Sequence, residues 1–156
     1  PHTPLQKRDR PMPSTTPTTV LTDPPLSQRL KLAAAWASLT FCYLYGDYFG
    51  LYKPNKLQHM LDGAGPMGPV SQASLLFVAL LLVMPGLMVL LSLILPARPG
   101  RWVHIALALF FAAFVAITMP GAWWYYLAYS TIEIVLCALI VWWAWTWPRM
   151  LRPISA

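Results

Sequence analysis

In 156 residues the chain is 58% apolar and only 10% charged, with 11 Lys and Arg against 5 Asp and Glu and a formal net charge of +6. Apolar content this high exceeds what the core of one soluble domain needs. The apolar residues also fall into runs of about 20, the length at which a helix crosses ~30 Å of hydrocarbon, so a soluble fold is excluded and an all-α integral membrane protein is expected.

The first 29 residues, "PHTPLQKRDRPMPSTTPTTVLTDPPLSQR", are rich in Pro and Thr and basic. They hold too few apolar residues to form a core and too many prolines for a helix. Alone, such a tail is expected to be disordered, and a partner subunit is the candidate for holding it. No small-residue cleavage site follows a short apolar core, so the first apolar run reads as an uncleaved anchor.

Four helices follow, at about 30–52, 72–95, 102–121 and 123–147, leaving 149–156 as a short C-terminus. Transmembrane strands are excluded because "SLLFVALLLVMPGLMVLLSLIL" shows no polar alternation. "KPNKLQHMLDGAGPMGP" (53–69) reads as a Pro/Gly-rich loop, "PARPG" (96–100) as a tight one and "MPGA" (119–122) as a tighter one. Links this short imply antiparallel neighbours, hence a four-helix bundle in the membrane. Pro85, inside the second run, removes a backbone donor that a neighbouring helix must compensate.

Cytoplasmic loops carry the excess of Lys and Arg. Lys7, Arg8, Arg10, Arg29, Lys31, Arg98, Arg101, Arg149 and Arg152 fall on one side, and only Lys53 and Lys56 on the other. Both termini are therefore expected in the cytoplasm. The positive charge is accounted for by topology and lipid headgroups, with no nucleic acid required.

Aromatic residues crowd the helix ends. Trp102, Trp123, Trp124, Trp142, Trp143, Trp145 and Trp147, with Arg101, read as anchors at the membrane interface. Stacking on lipid, a quinone or a pigment is the alternative use of such rings. No cofactor is otherwise expected. No metal-ligand spacing, nucleophile–base arrangement or phosphate loop appears, so an enzyme is the least supported class. Cys42 and Cys137 read as small buried residues with free thiols, and His104 as a satisfied polar side chain.

Two acids lie where hydrocarbon is expected, Asp47 in "FCYLYGDYFGLY" and Glu133 in "YSTIEIVLCALIV". A charge at the bilayer centre costs about 2.5–3.5 kcal/mol on insertion scales, so such acids face the protein interior and commonly have a role. Helical stepping supports this. Thr40, Tyr43, Asp47 and Gly50 share one face of the first helix, and Tyr126, Ser130, Glu133 and Cys137 share one face of the fourth.

Counted from the same side, Asp47 lies about 26 Å and Glu133 about 21 Å along their axes, one helical turn apart. The two carboxyls can thus meet, directly or through a water, and share a proton. Gly46 and Gly50 form a small-xxx-small pair for close helix approach. Ala108, Ala112 and Ala116 give a second such face, and either face could seat a homodimer.

The segment from about 30 to 148 resembles a family of small bacterial four-span membrane proteins known as domain-of-unknown-function family 6326. The resemblance rests on "YGDYFGLYKPNKL", "VMPGLMVLLS", "RWVHI" and "YYLAYSTIEIVLCALIVWWAWTW". It implies a bacterial inner-membrane location and marks Asp47, Pro85, Arg101 and Glu133 as family features, with no assigned activity. Tyr45 and Gly46 before Asp47 depart from the family's usual small Ala, and the Pro-rich tail is not a family hallmark.

Two functions compete. One is binding of a proton or small solute at Asp47 and Glu133, lined by Tyr43 and Tyr126. The other is an accessory subunit of a larger membrane complex, docked through the aromatic helix ends and the tail.

Overall fold

The computed structural model describes residues 24–65 and 68–148. The N-terminal tail up to residue 23 and the C-terminus 149–156 lie outside these, as does the role expected of the tail.

The first long helix, α1 (Gln28–Gly50), starts where Ser27 turns extended and its side chain accepts from the Leu30 N–H. This satisfies one of the donors that a helix start leaves orphaned. Past Leu51 the chain does not run on as a plain loop. A short helix, α2 (Lys56–Leu61), begins after Asn55, which takes up φ +62°. A two-residue ribbon, β1 (Ala64–Gly65) against β2 (Gly68–Pro69), turns the chain back antiparallel. Next, α3 (Gln72–Ile94) opens on a reciprocal cap between Ser71 and Ser74.

The third long helix is longer at its start than the sequence suggested. "PARPG" was expected to be a loop before a helix at 102, but α4 spans Ala97–Thr118 and takes most of it in. Pro99 falls in the first turn, where backbone N–H groups have no intrahelical acceptor, so a proline loses nothing there. The Gly100 N–H already closes a turn onto the Pro96 carbonyl at 2.9 Å. The helix then stops three residues before the expected 121. Gly121, at φ +74°, reverses the chain into α5 (Trp124–Trp145), so Trp123 and Trp147 flank that helix instead of lying within it.

Among the described residues, α3, α4 and α5 are long and apolar enough to cross a membrane. At 23 residues α1 equals α3 in length but carries Arg29, Lys31 and Asp47. It packs along both α3 and α5, as α5 packs along both α1 and α4, while α3 and α4 barely touch. Leu32, Trp36 and Leu39 of α1, Met88 of α3, Phe111 of α4 and Ile140 of α5 form the centre of the core. Trp36 and Phe111 meet edge to face there, with ring centroids 6.3 Å apart.

Candidate functional site

The sequence spacing that puts Tyr43 and Asp47 one turn apart on α1, and Tyr126 and Glu133 two turns apart on α5, sets these four residues round one cavity of about 70 Å³. Leu81 and Leu82 of α3 and Phe111, Phe114 and Val115 of α4 supply the other walls, so all four long helices contribute. The space suits a few water molecules and nothing much larger.

Glu133 is only 5% exposed and makes no hydrogen bond among the described residues. The Tyr43 hydroxyl is buried and equally without a partner there. A donor and an acceptor thus stand uncommitted on one small cavity, an arrangement costly to leave dry. Tyr126 is already engaged, its hydroxyl 2.8 Å from that of Thr118, which ties α5 to the end of α4. Asp47 and Glu133 share the cavity without bonding each other directly, and Asp47 is the exposed member of the pair.

Aromatic packing closes the cavity on the side away from Asp47. Phe111 lies in its wall, with Tyr43 at 5.8 Å on one side and Trp36 on the other. The Trp36 indole N–H donates to Nδ1 of His104 at 2.9 Å. An indole can only donate, so Nδ1 is the acceptor and the imidazole proton sits on Nε2. That Nε2 is buried without a partner among the described residues, so His104 is only half satisfied, not fully as expected.

On the opposite side a larger groove of about 350 Å³ adjoins the cavity. Gly46, Asp47 and Tyr126 line both spaces, and Lys53, Lys56 and Met60 border the outer one beneath α2. The Lys53 ammonium sits over the rings of Tyr125 and Tyr126, at 5.4 and 5.8 Å, a contact worth roughly 0.5–1 kcal/mol when exposed. Asp47 therefore stands at the neck between a cationic vestibule and an enclosed acid. Gly50 faces α5 here, where an added Cβ would stand in ordinary contact, 3.5 Å from the Tyr125 hydroxyl.

Other residues named from the sequence lie off the cavity wall. Thr40 spends its hydroxyl on the Trp36 carbonyl at 2.8 Å. Ser130 is fully buried, with no partner for its hydroxyl among the described residues. Of the alanine face, Ala108 is buried inside the chain's own core, Ala112 is half-buried and Ala116 is exposed. Pro85 is buried in α3 and leaves the Leu81 carbonyl without its helical donor, one turn back at the cavity wall. Trp102, Trp123, Trp124, Trp142 and Trp145 are exposed, whereas Trp143 and Trp147 pack against the core.

The walls from α3 and α4 were not found from sequence, because an apolar residue on an apolar helix carries no mark of what it faces. The Trp36–His104 pair had one available signal, a polar ring one turn inside an apolar helix, which demands a partner.

The sequence model of a family of unknown function, DUF6326, matches residues 26–151. No curated protein and no solved structure matches the chain.

Proposed function

Because the chain belongs to DUF6326, a family of unknown function, we propose its role from the cavity: a four-span membrane protein that takes up a proton at Asp47 and Glu133. The position of α1 supports the fourth span. A 23-residue helix packed against both α3 and α5 has the length to share the layer they cross. The excess of basic residues on one side favours a topology with both ends of the chain on the cytoplasmic face, and the family resemblance favours a bacterial inner membrane.

The observation that carries the proposal is the buried, uncommitted Glu133 on a cavity that shares Asp47 with the Lys53 and Lys56 groove. Its volume favours a proton with a few waters over a solute of metabolite size. A proton entering past Asp47 finds a carboxylate that burial has left short of hydrogen-bond donors, with the Tyr43 hydroxyl beside it. The aromatic packing of Phe111 and Trp36 stands between that carboxylate and the opposite side, so onward passage requires those rings to move.

The test is proton flux into vesicles reconstituted with the purified protein, followed by a trapped pH-sensitive dye. Wild type is expected to collapse an imposed gradient and Glu133→Gln to leave it standing. Equal rates for the two would overturn the proposal.

A second reading, an accessory subunit of a larger complex, is favoured by α2. Leu57, Met60 and Leu61 are all exposed on this helix, an apolar surface outside the long helices suited to a partner. Affinity purification from native membranes tests it, with substitution of these three residues by Ser expected to release the partner.

A further inference from the structure

A third concave surface lies between α4 and α5 and runs from Ile134 and Cys137, beside Glu133, towards the tryptophans at the end of α5. It holds about 430 Å³ and is lined by small or apolar residues, among them Ala108, Ala112, Ala138 and Val141, with Trp142 and Trp145 at one end. The alanines make the hollow, and the two indoles wall it.

At that end stands Arg101. Its guanidinium carbon lies 4.7 Å from the Trp145 ring centroid and 5.5 Å from that of Trp102, and the two indoles meet edge to face. The rings fix the cation in place. Its Nε is buried and has no partner among the described residues. The three described acids lie elsewhere, Asp47 and Asp62 near or past the far end of α1 and Glu133 in mid-α5. Arg29, Lys31 and Arg98 add positive charge near the same end. An aromatic-held cation at the head of an apolar groove matches a phosphate followed by a hydrocarbon chain.

We propose that this groove binds an anionic phospholipid, its acyl chain along Leu109, Ala112 and Ala138 and its phosphate on Arg101. The proposal rests on the membrane-spanning reading above but not on the proton site. A chain without proton flux that still retains the lipid leaves it standing, whereas a chain that leaves the membrane fraction overturns both.

The experiment is native mass spectrometry of the full-length protein, released from nanodiscs of equimolar phosphatidylglycerol and phosphatidylcholine. Wild type is expected to retain phosphatidylglycerol about fivefold over phosphatidylcholine, the scale of one basic residue acting near a lipid surface. Arg101→Gln should bring the ratio to parity while Arg101→Lys keeps a preference. Ala138→Trp, which fills the groove from its exposed side, should strip the retained lipid. An unchanged ratio in Arg101→Gln overturns the headgroup assignment, and full retention in Ala138→Trp overturns the groove. A dimer mass without lipid that Ala138→Trp abolishes would give the groove to a second copy, and overturns the proposal as well.

Discussion

The Trp36 indole and the His104 imidazole are joined by a 2.9 Å hydrogen bond across the core, where both side chains are fully buried. It links α1 to α4, two helices separated by more than 45 residues of chain, and sets which imidazole nitrogen carries the proton. Trp36→Phe would leave both nitrogens of His104 unpartnered. A loss of about 1–3 kcal/mol is expected, the cost of a buried polar group without its partner, read as a lower melting temperature in detergent. An unchanged melt would show that the bond contributes nothing.

Phe111 is both a cavity wall and the contact between Trp36 and Tyr43. Phe111→Ala should cost about 3–5 kcal/mol, as truncation of a buried aromatic does. It should also open the closed side of the cavity. Vesicles carrying this variant are expected to leak protons faster than wild type in either direction, and a slower flux would contradict the closure assigned to this ring.

Gly50 reports how closely α1 and α5 approach. A methyl there would make ordinary contact with the Tyr125 hydroxyl at 3.5 Å, so Gly50→Ala should change stability by less than about 1 kcal/mol. Gly50→Leu would push the ring away and cost about 1–3 kcal/mol, typical of overpacking. Thermal melts of the two variants distinguish these outcomes; equal melts would mean that the helices stand further apart.

The outer groove can be plugged. With Cys42 and Cys137 replaced by Ser and Ala, Lys56→Cys should react with a bulky, membrane-impermeant thiol reagent and lose proton flux. Asp62→Cys, exposed at the end of α2 and absent from both linings, should react without loss. Block at Asp62 alone would place the path elsewhere.

The residues themselves explain how much was legible beforehand. Apolar runs of about 20 residues announce all four long helices despite Asp47 and Glu133, and i, i+4 spacing places Tyr43 with Asp47 on one face. Pro99 misled the start of α4, because a proline reads as a break wherever it stands, although a first helical turn accommodates it. The six residues of α2, set between Pro54 and Gly63 with Asn55 and Asp62 at either end, are too few to show a helical period and read as loop. Thr40 shared the polar stripe, yet a threonine inside a helix can satisfy itself on the carbonyl four residues back. Spacing alone cannot tell that from a hydroxyl facing a site.

Labelling of the protein in membranes with a hydrophobic carbodiimide, which adds to a protonated carboxyl in an apolar phase, tests the proton site most directly. The adduct is located by peptide mass spectrometry. Modification at Glu133 that blocks proton flux and is absent from Glu133→Gln is expected. Flux that persists with Glu133 fully modified would mean that the cavity between α1 and α5 is a packing feature and not a proton site.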